Sequence, residues 1–98
     1  MLPSRKVMMR PLHTAESASF VRWVFLRGTR ALTCEVRVVD RRQFDVCVVP
    51  LWDVKAAVIE TYDRAADAMR RHAELATGFR QSGWVAARQT GGPTEVAA

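Results

Sequence analysis

Alternation of apolar and polar residues predicts three strands in succession. The stretch from Phe20 to Arg27 is rich in β-branched and aromatic residues and stops at Gly28 and Thr29. Glycine at the first position of a two-residue loop suits a type II′ hairpin, which needs a positive φ there. With that loop, Phe25 faces Leu32, Trp23 faces Cys34 and Val21 faces Val36, so one face is wholly apolar. The same register sets Arg22 across from Glu35, an ion pair worth about 0.2–1 kcal/mol. A slip of one residue would scatter both features.

The second strand runs to Val39 and ends in the polar turn Asp40, Arg41, Arg42, Gln43. A three- or five-residue loop then puts Phe44, Val46 and Val48 on the face of Cys34, Val36 and Val38, and turns Cys47 away. Cys34 and Cys47 are therefore expected to form no disulfide, since side chains on opposite faces of a sheet cannot meet the required geometry.

Beyond Pro50, the residues Ala57 to Tyr62 are strand-like, although Asp53 could instead cap a helix from Val54. The strand is preferred because Asp63 or Asp67 is then free to cap a separate helix, and a helix from Val54 to Gln81 would exceed the usual length. Ala65, Ala68, Met69, His72, Leu75, Ala76 and Phe79 fall at spacings of three and four, one apolar helical stripe. Gly83 stands where a left-handed C-terminal cap is wanted, with Trp84 folding back onto the last turn.

The expected fold is α+β: an antiparallel meander of three to four strands, about 19–27, 30–39, 44–50 and, for the fourth, 57–62, followed by one long C-terminal helix, about 64–82, on one face. Residues 1–18, with Pro3 and Pro11, read as a flexible basic arm, 19–86 as a single domain and 87–98 as a disordered tail.

Apolar residues at 49% and charged residues at 26% are the balance of a folded domain, so a packed core is expected. The chain has 98 residues and no apolar run near the roughly 20 that span a bilayer. With two cysteines, too few for a disulfide scaffold, the expected location is cytoplasmic and no membrane partner is expected. The net charge of +5 invites a nucleic-acid reading, but Arg5, Lys6 and Arg10 supply three of those charges from the arm.

Catalytic chemistry finds little support. There is no CxxC, HExxH, phosphate loop or nucleophile elbow, so no catalytic residue, metal or cofactor is assigned and no enzyme activity is expected. His72 reads as a boundary residue with a hydrogen-bond partner, and Cys34 and Cys47 as small hydrophobes. Among the aromatics, only Phe20, Trp52 and Trp84 are left for recognition.

The second sheet face is more informative. Phe20, Val24, Leu26, Val39, Cys47 and Val49 lie there among Arg22, Glu35 and Arg37, too apolar for open water. One helix covers one face, so a second copy is the expected cover. Phe20, Val24, Leu26, Val39 and Val49 form the expected dimer interface.

Over Phe20 to Trp84, the order of strands followed by a helix resembles the small single-stranded nucleic-acid-binding domains of the PC-four, Whirly and Pur-alpha type. The resemblance is one of topology; it rests on no matched motif and transfers no residue role. The expected function is a homodimeric protein-interaction or regulatory module without catalytic activity. The alternative is a single-stranded or non-specific nucleic-acid binder using Arg22, Arg37, Arg41 and Arg42.

Overall fold

The hairpin forms as its turn chemistry requires. In the computed structural model, which describes residues 7–8 and 18–91, β2 (Ala18–Arg27) and β3 (Arg30–Asp40) are joined by Gly28 and Thr29. Gly28 has φ +62° and no non-glycine residue has positive φ among the described residues, which is the type II′ pattern. Phe25 faces Leu32, Trp23 faces Cys34 and Arg22 faces Glu35, as the alternation dictates. The Glu35 carboxylate is taken by Arg37, whose Nη1 lies 3.3 Å away, and not by Arg22.

Among the described residues six antiparallel strands, completed by β1 (Val7–Met8), β4 (Gln43–Pro50), β5 (Val58–Tyr62) and β6 (Val85–Gly91), form one sheet in the order β1-β5-β4-β3-β2-β6. The helix α1 (Ala65–Gln81) covers one face. Two strands lie outside the expected meander. β1 (Val7–Met8) pairs with β5, and β6 (Val85–Gly91) returns after the helix to pair with β2. Part of the expected arm and part of the expected tail are thus strands, and the domain runs past residue 86. The remaining residues of both segments lie outside the described residues.

Two details of register move side chains. Between Ser19 and Val21 the β2–β3 pairing shifts, leaving Phe20 as an extra residue. Phe20 thereby packs against the helix-side cluster of Val21, Val36, Val46, Tyr62 and Ala68, which corrects its expected place on the second face. A second shift, between Val38 and Asp40, leaves Val39 as an extra residue between two paired ones. Asp40 Oδ1 accepts the Arg42 backbone N–H at 2.7 Å and closes the turn in two residues, Arg41 and Arg42.

The helix starts at Ala65 with Arg64 in the cap position and no side-chain cap bond, so neither Asp63 nor Asp67 acts as the expected cap. Asp67 lies instead in the first turn, where a carboxylate suits the helix dipole, and pairs with Arg70. Asp53 precedes only one 3-10 turn, Val54–Ala56.

The core lies between α1 and the sheet. Phe25, Cys34 and Val36 are fully buried there, with Ala68 and Ala76 allowing the helix to approach. Cys34 and Cys47 are buried on opposite faces and are not joined to each other. Burial pushes the Cys34 thiol up to about 12, so it stays protonated and unreactive.

His72 is also buried, its Nε2 3.1 Å from the Cys34 carbonyl oxygen. A carbonyl only accepts, so Nε2 carries the proton and donates. Burial lowers the His72 pKa below its ordinary 6.5. The unfolded chain therefore takes up this proton at a pH where the folded chain resists it. Stability is full at neutral pH and falls as pH drops through 6.5 toward the lower folded value. Melting temperatures at about pH 5 and about pH 7.5 should differ more for the native chain than for His72→Gln. Equal differences would remove His72 as the source.

Candidate interaction surface

At the end of the helix, three sequence signals combine to place one aromatic ring. Gly83, at φ +92°, takes the left-handed position, the Gly83 N–H bonds the Arg80 carbonyl at 3.1 Å and the Trp84 N–H bonds that of Phe79 at 2.9 Å. This is a complete Schellman motif, with its apolar contact between Trp84 and Phe79 at 6.4 Å. Trp84 is thereby held at the hairpin end of the sheet, on the helix side.

Trp52 reaches the same place from another direction. The Leu51 N–H donates to the Ala31 carbonyl at 2.9 Å, extending the β3–β4 pairing past Pro50, and the Asp53 N–H closes a turn on Pro50 at 3.1 Å. Trp52 stacks on Trp84 with centroids 6.0 Å apart and ring planes 10° apart. Arg30 lies 4.7 Å over Trp52 and Arg27 lies 5.5 Å over Trp84. Arg27 also donates to the Ser82 carbonyl at 3.0 Å, capping the negative end of the helix. Nearby, Arg80 lies 4.8 Å over Trp23. The arginines Arg27 and Arg30 thus join the two tryptophans singled out for recognition.

On the other side of the same end lies an apolar row. Val85 faces Leu26, Leu26 faces Ala31, and Leu51 is bonded to Ala31, so these side chains line up across four strands. Val54 adjoins Leu51 at the mouth of a shallow cleft of about 270 Å³. Leu26 is 43% exposed, Leu51 48%, Val54 55% and Val85 65%, and Trp52 beside them is 47% exposed. Five of the six large exposed apolar residues among those described therefore gather at one end; the sixth is Val58.

The inner part of the second face is different. Thr33, Cys47, Val49 and Ile59 are buried within the single chain. Of the expected interface, Leu26 remains on the surface, Val24 and Val39 are half-buried, Val49 is buried and Phe20 has turned to the other side. The expected nucleic-acid arginines converge only in part. Arg22, exposed, and Arg37, engaged by Glu35, line the same cleft on the second face, whereas Arg41 and Arg42 lie at the far turn.

A second polar cluster joins the helix to the sheet. Glu60 receives Arg71 Nε at 2.9 Å, Arg71 Nη2 at 3.3 Å and the Tyr62 hydroxyl at 2.9 Å. Arg71 also reaches Glu74 at 3.2 Å, and these carboxylates hold its guanidinium more firmly charged than usual. The network borders an open apolar cleft of about 230 Å³ between β4, β5 and α1. Its charges satisfy one another, as a structural tie requires. Among the described residues no cluster of His, Cys, Asp or Glu could hold a metal ion, and no helix is long and apolar enough to cross a membrane.

Comparison of the chain with protein-family models, with curated proteins and with solved structures gave no match.

Proposed function

We propose that this protein is a cytoplasmic, non-catalytic interaction module that docks protein through the hairpin end of its sheet. The observation that carries this is the clustering at one end of the sheet of the exposed apolar row Leu26, Leu51, Val54 and Val85 on one side and the stacked Trp52 and Trp84, under Arg30 and Arg27, on the other. Tryptophan and arginine are the residues that dominate protein interfaces, because each combines a large apolar surface with a polar handle. Two buried cysteines on opposite sheet faces, which cannot bridge each other, suit a reducing compartment.

Hydroxyl-radical footprinting tests the proposal by comparing the chain inside cells with the purified chain. Leu26, Leu51, Trp52 and Val85 are expected to be labelled less in cells, while Val58 is labelled equally. Equal labelling at all five positions would remove the proposal.

Single-stranded nucleic acid is a second reading, favoured by the arginines lying over tryptophan rings. Against it, Trp52 already has a tryptophan and a guanidinium as neighbours, so a base would have to displace one of them. Nucleic acid also has no use for the aliphatic row. Gel shifts decide: a nucleic-acid binder holds single-stranded DNA at about 50 mM salt and releases it steeply as salt rises.

A further inference from the structure

We infer that the hairpin end receives a polypeptide segment that is both acidic and apolar. This rests on the docking reading above and names the partner's chemistry. Positive charge flanks the apolar residues of this end on both sides of the sheet. Arg30 lies over Trp52 and Arg27 over Trp84 on the helix side, Lys55 follows Val54 in the 3-10 turn after Asp53, and Glu35, which shares the cleft with Leu51 and Val54, is held by Arg37. Arg22 and Arg88 add positive charge along the second face, where Arg88 lies across from Val24 and Val85 across from Leu26. Among the described residues none of Arg22, Arg27, Arg30, Lys55 and Arg88 is within salt-bridge distance of a carboxylate; the pairs that form there are those of Arg37, Arg70 and Arg71.

A partner seated on the row dehydrates these guanidinium groups at least in part. Desolvated charge is costly unless the incoming surface supplies the opposite charge, so carboxylates beside apolar side chains are the matching chemistry. A second copy fits less well. A two-fold contact through this end would bring Arg27, Arg30 and Lys55 of both chains together with two Asp53 carboxylates to offset six cations. The open edge of the sheet is also poorly suited to strand pairing between copies. The β2–β6 register shifts between Val24 and Phe25, leaving Ala87 as a bulge in β6 beside Arg88.

The test pans the full chain against a phage-displayed library of random peptides, with fluorescein-labelled oligo-dT and sedimentation of the chain alone run in parallel. Enriched peptides should carry Asp or Glu beside Leu, Phe or Trp. Arg27→Glu with Arg30→Glu should weaken them about tenfold or more, and Leu51→Ser with Val54→Ser by a similar factor. Circular dichroism confirms that each variant is folded, and Lys55→Glu serves as a milder reversal should the arginine pair prove necessary for folding. Neutral or basic peptides that Leu51→Ser with Val54→Ser still weakens would overturn the acidic partner and leave the docking end standing. Oligo-dT bound more tightly than any peptide would replace it with nucleic acid. A dimer abolished by Leu26→Ser would replace it with a second copy. Absence of any binding or association at this end would remove the docking reading as well.

Discussion

Phe25→Ala is expected to cost about 3–5 kcal/mol, enough to leave a domain of this size close to unfolded. Phe25 is fully buried and is the point where β2 meets the C-terminal half of the helix. Its ring lies 5.4 Å from Phe79 and 5.9 Å from Trp23, so truncation removes both aromatic contacts and leaves a cavity beneath Leu32 and Ala76. The surroundings cannot collapse into that space easily, since the Schellman turn holds Phe79 in place. Urea unfolding followed by tryptophan fluorescence measures the loss; a cost below about 1 kcal/mol, the level of a surface change, would contradict this account of the core.

Glu60→Ala is expected to cost somewhat less, about 2–3 kcal/mol, for a different reason. The Glu60 side chain is 6% exposed and that of Arg71 29%, so removing the carboxylate leaves the guanidinium to the exposed Glu74 alone and takes an acceptor from Tyr62. The loss comes mainly from the charge left behind, not from the worth of the pair. Glu60→Leu combined with Arg71→Met should therefore recover a large part of the stability lost by Glu60→Ala. A double-mutant cycle over Glu60 and Arg71 should give a coupling of about 1–3 kcal/mol, and strict additivity would show that the two side chains act independently.

Both predictions concern residues whose neighbours differ in how far the sequence reveals them. Phe25 could be placed from its own strand: period two sets it with Trp23 and Val21, and Gly28 sets it across from Leu32. The Glu60–Arg71 tie could not. Glu60 alternates with Val58 and Tyr62 on the helix side, where a carboxylate reads as an error until an arginine on another element is seen to reach it. The six-stranded sheet shows the same division. β6 carries Ala86, Ala87, Arg88, Gln89 and Thr90, has little apolar alternation and is mostly exposed. Backbone pairing with β2 holds it, and backbone groups leave no mark on residue type.

The interaction surface falls across that division as well. Signals written within a few neighbouring residues were readable directly from the chain: the glycine that turns the hairpin, the glycine that ends the helix, and the stripe that faces the sheet. Each is a steric or periodic property acting over one or two turns of backbone. The meeting of Trp52 with Trp84, of Arg30 with Trp52, and of Val85 with Leu26 joins residues far apart in the chain, and their approach follows from how α1 crosses the sheet and where β6 returns. A one-residue bulge at Phe20 was enough to reverse a side chain, because alternation carries no memory of an extra residue once the partner strand has absorbed it.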